Sequence, residues 1–333
     1  MRRVVFFIIC VVCLAVLSGC KKQAPSQEKK KLTIAVIPKG TVAEFWKTVH
    51  AGAEKAGQEL GVEIIWKGPL KEDDRENQIR VVEDFTSRGV NGIVLAPLDD
   101  TALRVPVSNA VRSGIPVVIF DSGLKSDDFI SFVATDNYKG GRIAGEHLAR
   151  LLNGKGKVVL LRYEVGSAST SEREQGFLDA VAENPGLLVV SSNQYGGVTT
   201  ETAYQAGENL FARLKNADGS PAIDGIFCPN ESTTFGMLRA FQDGGHSGKV
   251  RFIGFDSSSN LVKGLETGAI DALVLQNPMN IGYAGVRAMV DHLQGRPVEK
   301  RIDTGVTLVT RENMNDPEIK ELLNPDLKKW LKE

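Results

Sequence analysis

The chain has 333 residues, 42% of them apolar and 24% charged, which is globular usage with room for two separate cores. Its 40 basic and 41 acidic residues leave a net charge of −1, so no basic field points to nucleic acid. The four histidines, at 50, 147, 246 and 292, have no ligand spacing, which argues against a zinc site.

The first twenty residues stand apart. Arg2 and Arg3 precede an apolar run, Val4 to Leu17, that is too short to span a bilayer. The run ends Leu17-Ser18-Gly19-Cys20, which resembles the bacterial lipobox, where the signal is cut before the cysteine and lipid is attached to its thiol. Residues 1–20 are therefore expected to be a lipoprotein signal peptide and Cys20 the lipidation site; an ordinary secretory signal with an incidental cysteine is the alternative. Residues 21–31, rich in Lys and Gln, have no apolar face and read as a disordered tether. Cys10 and Cys13 leave with the signal, so Cys228 is the lone cysteine of the folded part and no intrachain disulfide is expected. It ends the apolar run Gly225-Ile226-Phe227-Cys228 and reads as a small core residue.

From Leu32 onward strand and helix signals alternate. Leu32 to Ile37 is an apolar run. Phe45, Trp46, Val49, Ala53, Ala56 and Leu60 then recur at helical spacing before Gly61, a natural helix terminator. Strands are expected at Val62–Trp66, Gly92–Ala96, Pro116–Phe120 and Phe129–Val133, with helices at Asp74–Arg88 and Thr101–Ser113. After a helix over Asp136–Leu152 the rhythm restarts. Strands are expected at Val158–Leu161, Leu187–Ser191, Ile223–Cys228, Phe252–Phe255 and Ala272–Leu275. Helices are expected at Ser171–Glu183, Thr200–Leu214, Ser232–Asp243, Ser258–Thr267 and Ile281–Leu293, followed by an irregular tail and a short helix near Pro317–Leu323. Such alternation predicts an α/β fold of two lobes, each a parallel sheet covered on both faces.

Two strands share an ending. Val117-Val118-Ile119-Phe120 runs into Asp121-Ser122, and Phe252-Ile253-Gly254-Phe255 runs into Asp256-Ser257. Open parallel sheets place ligands just beyond the carboxyl ends of their strands, so each lobe is expected to offer one aspartate to a shared cleft. Either aspartate taken alone also reads as a helix N-cap. No phosphate-binding glycine loop, dinucleotide fingerprint or Gly-x-Ser-x-Gly elbow occurs. Ser169 and Ser171 lie in a serine-rich turn suited to helix capping, and no nucleophile–base set is visible, so no enzyme is expected.

With both aspartate strands placed, the chain resembles the periplasmic sugar-binding proteins of the ribose-binding type, in the ribose-binding and lactose-repressor superfamily. The resemblance runs from about Leu32 to Gly305. It is carried by Phe45-Trp46 at the first helix start, Phe120-Asp121, Ala134-Thr135-Asp136-Asn137 with Gly140-Gly141, Arg173-Glu174-Gln175-Gly176-Phe177, Pro229-Asn230-Glu231, Gly254-Phe255-Asp256 and Gln276-Asn277-Pro278. It implies a periplasmic binding protein-like fold of two doubly wound lobes joined by a three-strand hinge, crossing near Thr135, near Gln276 and at Asp303 to Thr307. The first lobe would be 32–135 plus 277–302 and the second 136–276 plus 303–333. It also implies a ligand site in which Asp121, Asn230, Asp256 and Gln276 hold sugar hydroxyls. Arg173 supplies a planar fork of donors, and Phe45 and Trp46 face the C–H side of a sugar ring. Phe45 and Trp46 as core aromatics, Arg173 as a surface arginine, and Asn230 and Gln276 as turn residues are the plainer alternatives.

The chain departs from that pattern at two positions. Ribose binders carry an arginine after the fourth-strand aspartate, where this chain has Ser122, and an asparagine two residues before the aromatic pair, where it has Ala43. Lys39, in the turn Pro38-Lys39-Gly40-Thr41, is a candidate to reach the cleft or a solvated turn lysine, and Ser122 is a second possible contact. The resemblance thus implies a lipid-anchored substrate-binding protein of an ABC-type sugar importer in the bacterial cell envelope, periplasm-facing in a Gram-negative cell. It would act as a monomer, without a cofactor, on a monosaccharide or close polyol other than ribose, with an ABC permease as partner. A sugar sensor feeding a chemoreceptor or kinase would have the same sequence. A repressor needs a DNA-binding segment before the first lobe, and residues 1–31 hold only a signal and a tether.

Overall fold

The computed structural model describes residues 31–331; the signal peptide, Cys20 and the tether to residue 30 lie outside them. Twelve strands and ten helices are formed among the described residues. Chain order begins β1 (Thr33–Ile37), α1 (Glu44–Leu60), β2 (Glu63–Trp66), α2 (Arg75–Arg88), β3 (Gly92–Leu95), α3 (Arg104–Arg112), β4 (Val117–Phe120) and β5 (Phe132–Ala134). It continues α4 (Asn137–Leu151), β6 (Lys155–Arg162), α5 (Ala168–Ala182), β7 (Gly186–Tyr195), α6 (Thr200–Arg213), β8 (Gly225–Phe227) and α7 (Glu231–Asp243). Last come β9 (Arg251–Phe255), α8 (Ser259–Thr267), β10 (Ala272–Leu275), α9 (Pro278–Leu293), β11 (Arg301–Asp303), β12 (Thr307–Val309) and α10 (Pro317–Leu323).

The strands form two six-stranded sheets, in the orders β11-β5-β4-β3-β1-β2 and β12-β10-β9-β8-β6-β7. Every pairing is parallel except β10–β12, an antiparallel edge in the stretch expected to be irregular tail. Each sheet is doubly wound, because its side chains alternate between two apolar layers. In the first sheet Ile34, Val36, Val94, Val118 and Phe120 face one layer with α1 and α9, while Ala35, Ile37, Ile93, Val117 and Ile119 face the other with α2 and α3. The second sheet does the same, with Val159, Leu161 and Phe252 on one face and Val158, Leu160 and Ile253 on the other. Cys228 is fully buried in the second core, and burial pushes its thiol well above the usual range, so the inert core role expected of it fits.

The chain passes between the lobes three times, at β5–α4, β10–α9 and β11–β12. A crossing by Thr135 is tied at the hinge to Thr304 and to the Gly305 carbonyl.

Both lobes fix their cleft-bearing helices by glycine contacts. A Cβ on Gly52 of α1 would lie 2.0 Å from the Met279 carbonyl oxygen, and one on Gly282 of α9 would lie 2.0 Å from that of Val49. In the other lobe a Cβ on Gly141 of α4 would meet the Arg173 carbonyl oxygen at 1.9 Å, and one on Gly176 of α5 that of Tyr138 at 2.1 Å. Two helix pairs thus approach to backbone contact, which only glycine allows. These contacts set where α1 starts and where Arg173 sits.

Candidate functional site

Asp121 and Asp256 occupy equivalent places. Each follows its strand in the left-handed region, with φ of 61° and 67°, a conformation that aspartate tolerates better than most residues. Each backbone N–H extends the ladder by one bond, Asp121 to the Val133 carbonyl and Asp256 to that of Val274, both at 2.9 Å. The backbone turns there, and the two carboxylates enter the space between the lobes. Neither is an N-cap: the residue preceding α8 is Ser258, and no helix begins directly after Asp121.

Around them lies a cavity of about 460 Å³, within the range of small-molecule sites. Phe45, Trp46, Asp121, Arg173, Asn230, Asp256 and Gln276 all line it, and so does Lys39. Ser122 does not. It is fully buried, and its hydroxyl accepts from the Ser169 N–H of the other lobe at 3.1 Å.

Arg173 is 2% exposed and stacks over the Phe255 ring with 3.9 Å from Cζ to the centroid. Its Nε donates to Asn137 Oδ1 at 2.8 Å and its Nη1 to the Pro229 carbonyl at 2.9 Å, while Asp256 stands 3.9 Å away. No acceptor for Nη2 occurs among the described residues. Burial lowers the pKa of the guanidinium from its ordinary value, opposed by Asp256 and Asp121; Asp256 is raised by burial, opposed chiefly by Arg173. Asp256 also accepts from Gln276 Nε2 at 2.8 Å and from the Glu231 N–H at 3.1 Å.

Gln276 is 4% exposed, yet its Oε1 has no hydrogen-bond partner among the described residues. A buried acceptor left unpaired costs about 1–3 kcal/mol, so this oxygen marks a place for a donor. Asn230 plays the turn role and the cleft role together. Its Oδ1 accepts from the Thr233 N–H, closing a capping box at the start of α7, while the residue lines the cavity.

Lys39 is 3% exposed and reaches the cleft, as the sequence allowed. Its Nζ donates to Ser167 Oγ at 3.2 Å and Ser169 Oγ at 3.0 Å, and lies 3.4 Å from Asp121. The first-strand loop thus brings a positive charge beside Asp121. Phe45 and Trp46 meet edge to face at 5.0 Å, 8% and 2% exposed, so they serve the core and the cavity wall at once.

Glu72, Tyr163 and Glu231 also wall the cavity, and the sequence pattern assigns them no role. Glu72, between β2 and α2, accepts from Trp46 Nε1 at 2.9 Å and from Tyr163 Oη at 3.0 Å, joining the lobes. Burial raises the pKa of Glu72, with Lys39 opposing, and raises that of Tyr163 well above its usual value, with Glu72 adding to it. Glu72 sits in Lys67-Gly68-Pro69-Leu70-Lys71-Glu72-Asp73-Asp74, a charged loop with no periodic signal. Glu231 lay within a motif of the resemblance, yet its side chain acts only through contact with the other lobe.

The comparisons agree with this architecture. The profile of the periplasmic binding protein domain matches residues 34–297. The ribose import binding protein of Haemophilus influenzae is 28% identical over 296 residues, covering 89% of this chain and 97% of that protein. A carbohydrate transporter solute binding protein from Agrobacterium radiobacter, solved with D-arabinose, is 36% identical with a TM-score of 0.84, covering 89% of this chain and all of that one. One from Agrobacterium vitis, solved with D-fucose, is 35% identical with a TM-score of 0.82 over 88% of this chain and all of its own. Two doubly wound lobes, three crossovers and a cavity walled by both lobes thus coincide with a match over most of the length, and the chain belongs to the periplasmic binding protein family, with the ribose-binding type among its relatives.

Proposed function

We propose that this chain is the substrate-binding lipoprotein of an ABC-type sugar importer, capturing one neutral monosaccharide or close polyol between its lobes by hinge closure. The observation that carries the reading is the convergence of unspent polar groups from both lobes on one cavity, above all the orphan Oε1 of Gln276 beside the Arg173–Asp256 pair. In this reading Asp121 and Lys39 come from the first lobe and Arg173, Asn230, Asp256 and Gln276 from the second, the division of the chain following the two sheets. Relatives solved with D-arabinose and D-fucose support a pentose or hexose ring. The lipid anchor at Cys20 rests on the lipobox alone, and the monomeric state on the resemblance.

An acidic sugar is disfavoured, since Asp121 and Asp256 already match the two buried cations, Lys39 and Arg173. Ribose is not expected to lead, because the donor that follows Asp121 in ribose binders is replaced by Lys39, whose Nζ is occupied by Asp121 and two serines. A thermal-shift panel of pentoses, hexoses, polyols, uronic acids and amino acids tests this, since a ligand binding only the native state raises the melting temperature. A neutral sugar is expected to give the largest shift. A larger shift with an amino acid would overturn the sugar reading, and one with ribose the specificity.

A second measurement concerns the anchor. Mass spectrometry of the chain purified from membranes is expected to find a lipid-modified Cys20 at the amino terminus. An unmodified chain starting elsewhere would remove the anchor and leave the cleft untouched.

A further inference from the structure

Among the helices whose amino-terminal ends border the cleft, α1 and α8, like α5, lack side-chain caps of their own. Ala43 precedes α1 and has no side chain able to cap it, and Ser258 precedes α8 without making a side-chain cap. The first-turn N–H groups of a helix have no partner within it and need one from elsewhere. Here they find it in the opposite lobe. Glu231, at the start of α7, accepts from the N–H of Glu44 at 3.3 Å and of Phe45 at 3.0 Å, 187 and 186 residues away in sequence. Glu44, in the first turn of α1, accepts in return from the Ser259 N–H of α8 at 3.1 Å and from its hydroxyl.

We propose that Glu44 and Glu231 form a reciprocal latch, each carboxylate capping a helix of the facing lobe so that both helix ends are satisfied only when the lobes are closed. Neither residue needs to touch the sugar. Both are positioning residues, coupled to the site through the Glu231 N–H on Asp256 and through Phe45, whose own N–H is held. The inference rests on the closing cleft of the proposed function and not on the identity of its ligand.

Burial in the closed form also favours the protonated side chain of Glu231. Glu231 is pushed up to about 8, first by burial and then by Asp256 and Glu44, which outweigh its bonds from the Phe45 and Glu44 N–H groups. The charged groups around it are Glu44 on α1 and Asp256 after β9. Arg173 of α5 is engaged by Asp256, Asn137 and Pro229, while Lys39 is engaged by Asp121 across the cavity, and Lys47 lines the same cavity. With the lobes apart Glu231 loses this burial and returns toward the ordinary carboxylate value of 4.5. A pKa raised in the closed form favours closure fully below the ordinary value and loses that advantage as pH rises through about 8. Between those limits closure weakens by up to about tenfold per pH unit. A ligand held between the lobes inherits the same dependence.

Amide hydrogen exchange on the full, ligand-free chain tests the latch without any sugar. Protection factors are measured at Glu44, Phe45 and Ser259 in the wild type, Glu44→Ala, Glu231→Ala and Glu231→Gln. In the wild type all three amides are expected to be protected at pH 6 and at least tenfold less so at pH 8.5. Glu231→Ala is expected to lower protection at Ser259 also, although Glu231 does not touch it, and Glu44→Ala to lower it at Phe45. Glu231→Gln, which has one acceptor oxygen for the Glu44 and Phe45 amides, is expected to remove most of the pH dependence while keeping protection at one of those two and at Ser259. Losses confined to the amides each carboxylate itself caps would reduce the pair to local caps and overturn the proposal. So would equal wild-type protection at both pH values, or none at all. A sugar panel without a hit would sink the proposed function and leave these exchange results standing.

Discussion

Arg173→Ala is expected to abolish measurable sugar binding and to lower stability by about 3–5 kcal/mol, the usual cost of removing one partner of a buried charge pair. The variant strands three groups together: the Asp256 carboxylate 3.9 Å away, Asn137 Oδ1 and the Pro229 carbonyl. It also uncovers the Phe255 ring on which the guanidinium lies. Arg173→Lys is expected to recover little, because an ammonium cannot reproduce the planar fork that reaches Asn137 and Pro229 while stacking on a ring. Titration calorimetry reads the binding loss, and thermal unfolding reads the stability. Normal binding in Arg173→Ala would place the ligand elsewhere.

The second large effect is expected far from any ligand contact. Gly141→Val and Gly282→Val each press a branched side chain onto a carbonyl of the facing helix, where even a Cβ would lie at 1.9 Å and 2.0 Å. The atoms it meets are backbone, so the helices themselves have to separate. Overpacking of a core usually costs about 1–3 kcal/mol and occasionally more; with two backbones in contact, about 3 kcal/mol or more is expected here. Gly141→Val should also weaken sugar binding, since the carbonyl it displaces belongs to Arg173, whereas Gly282→Val shifts α1 and with it Phe45 and Trp46. By contrast Gly219→Ala, with open space around the site, is strained only by its φ of 82° and should cost about 1 kcal/mol. Thermal unfolding of the three variants separates backbone contact from backbone strain.

Much of the fold was legible because its strands are buried on both faces. The apolar runs of β1, β4, β9 and β10 stand out against the charged helix surfaces between them, and all four lie within a residue or two of where the sequence predicts them. The outer strands were harder. β7 extends to Tyr195, four residues beyond the expected end, because as a sheet edge it tolerates Ser192, Asn193 and Gln194. β11 and β12 are three residues each, and Arg301-Ile302-Asp303 has no pattern of its own; pairing with β5 makes it a strand. One helix start also differs: α5 begins at Ala168 after Ser167, three residues before the expected Ser171.

The site divides in the same way. Asp121 and Asp256 were visible as carboxylates ending apolar strands, a signal that is local in sequence. Glu72, Tyr163 and Glu231 acquire their roles only when the lobes meet, through bonds spanning 91 residues for Tyr163–Glu72 and 186 for Phe45–Glu231. No spacing rule along one chain reports such contacts. Asn230 shows the intermediate case, a residue read both as a turn former and as a ligand contact, which caps α7 with the same side chain that borders the cavity.

Both lobes are expected to grip a single neutral sugar through their equivalent aspartates. Titration calorimetry of Asp121→Ala and Asp256→Ala, with the sugar giving the largest thermal shift, tests it most directly. A hydrogen bond to a charged group contributes about 1.5–3 kcal/mol, so each variant is expected to lose roughly tenfold to more than a hundredfold in affinity. Both should retain the wild-type fold by circular dichroism. Loss in both places the ligand between the lobes; wild-type affinity in either variant would contradict a site shared by the two.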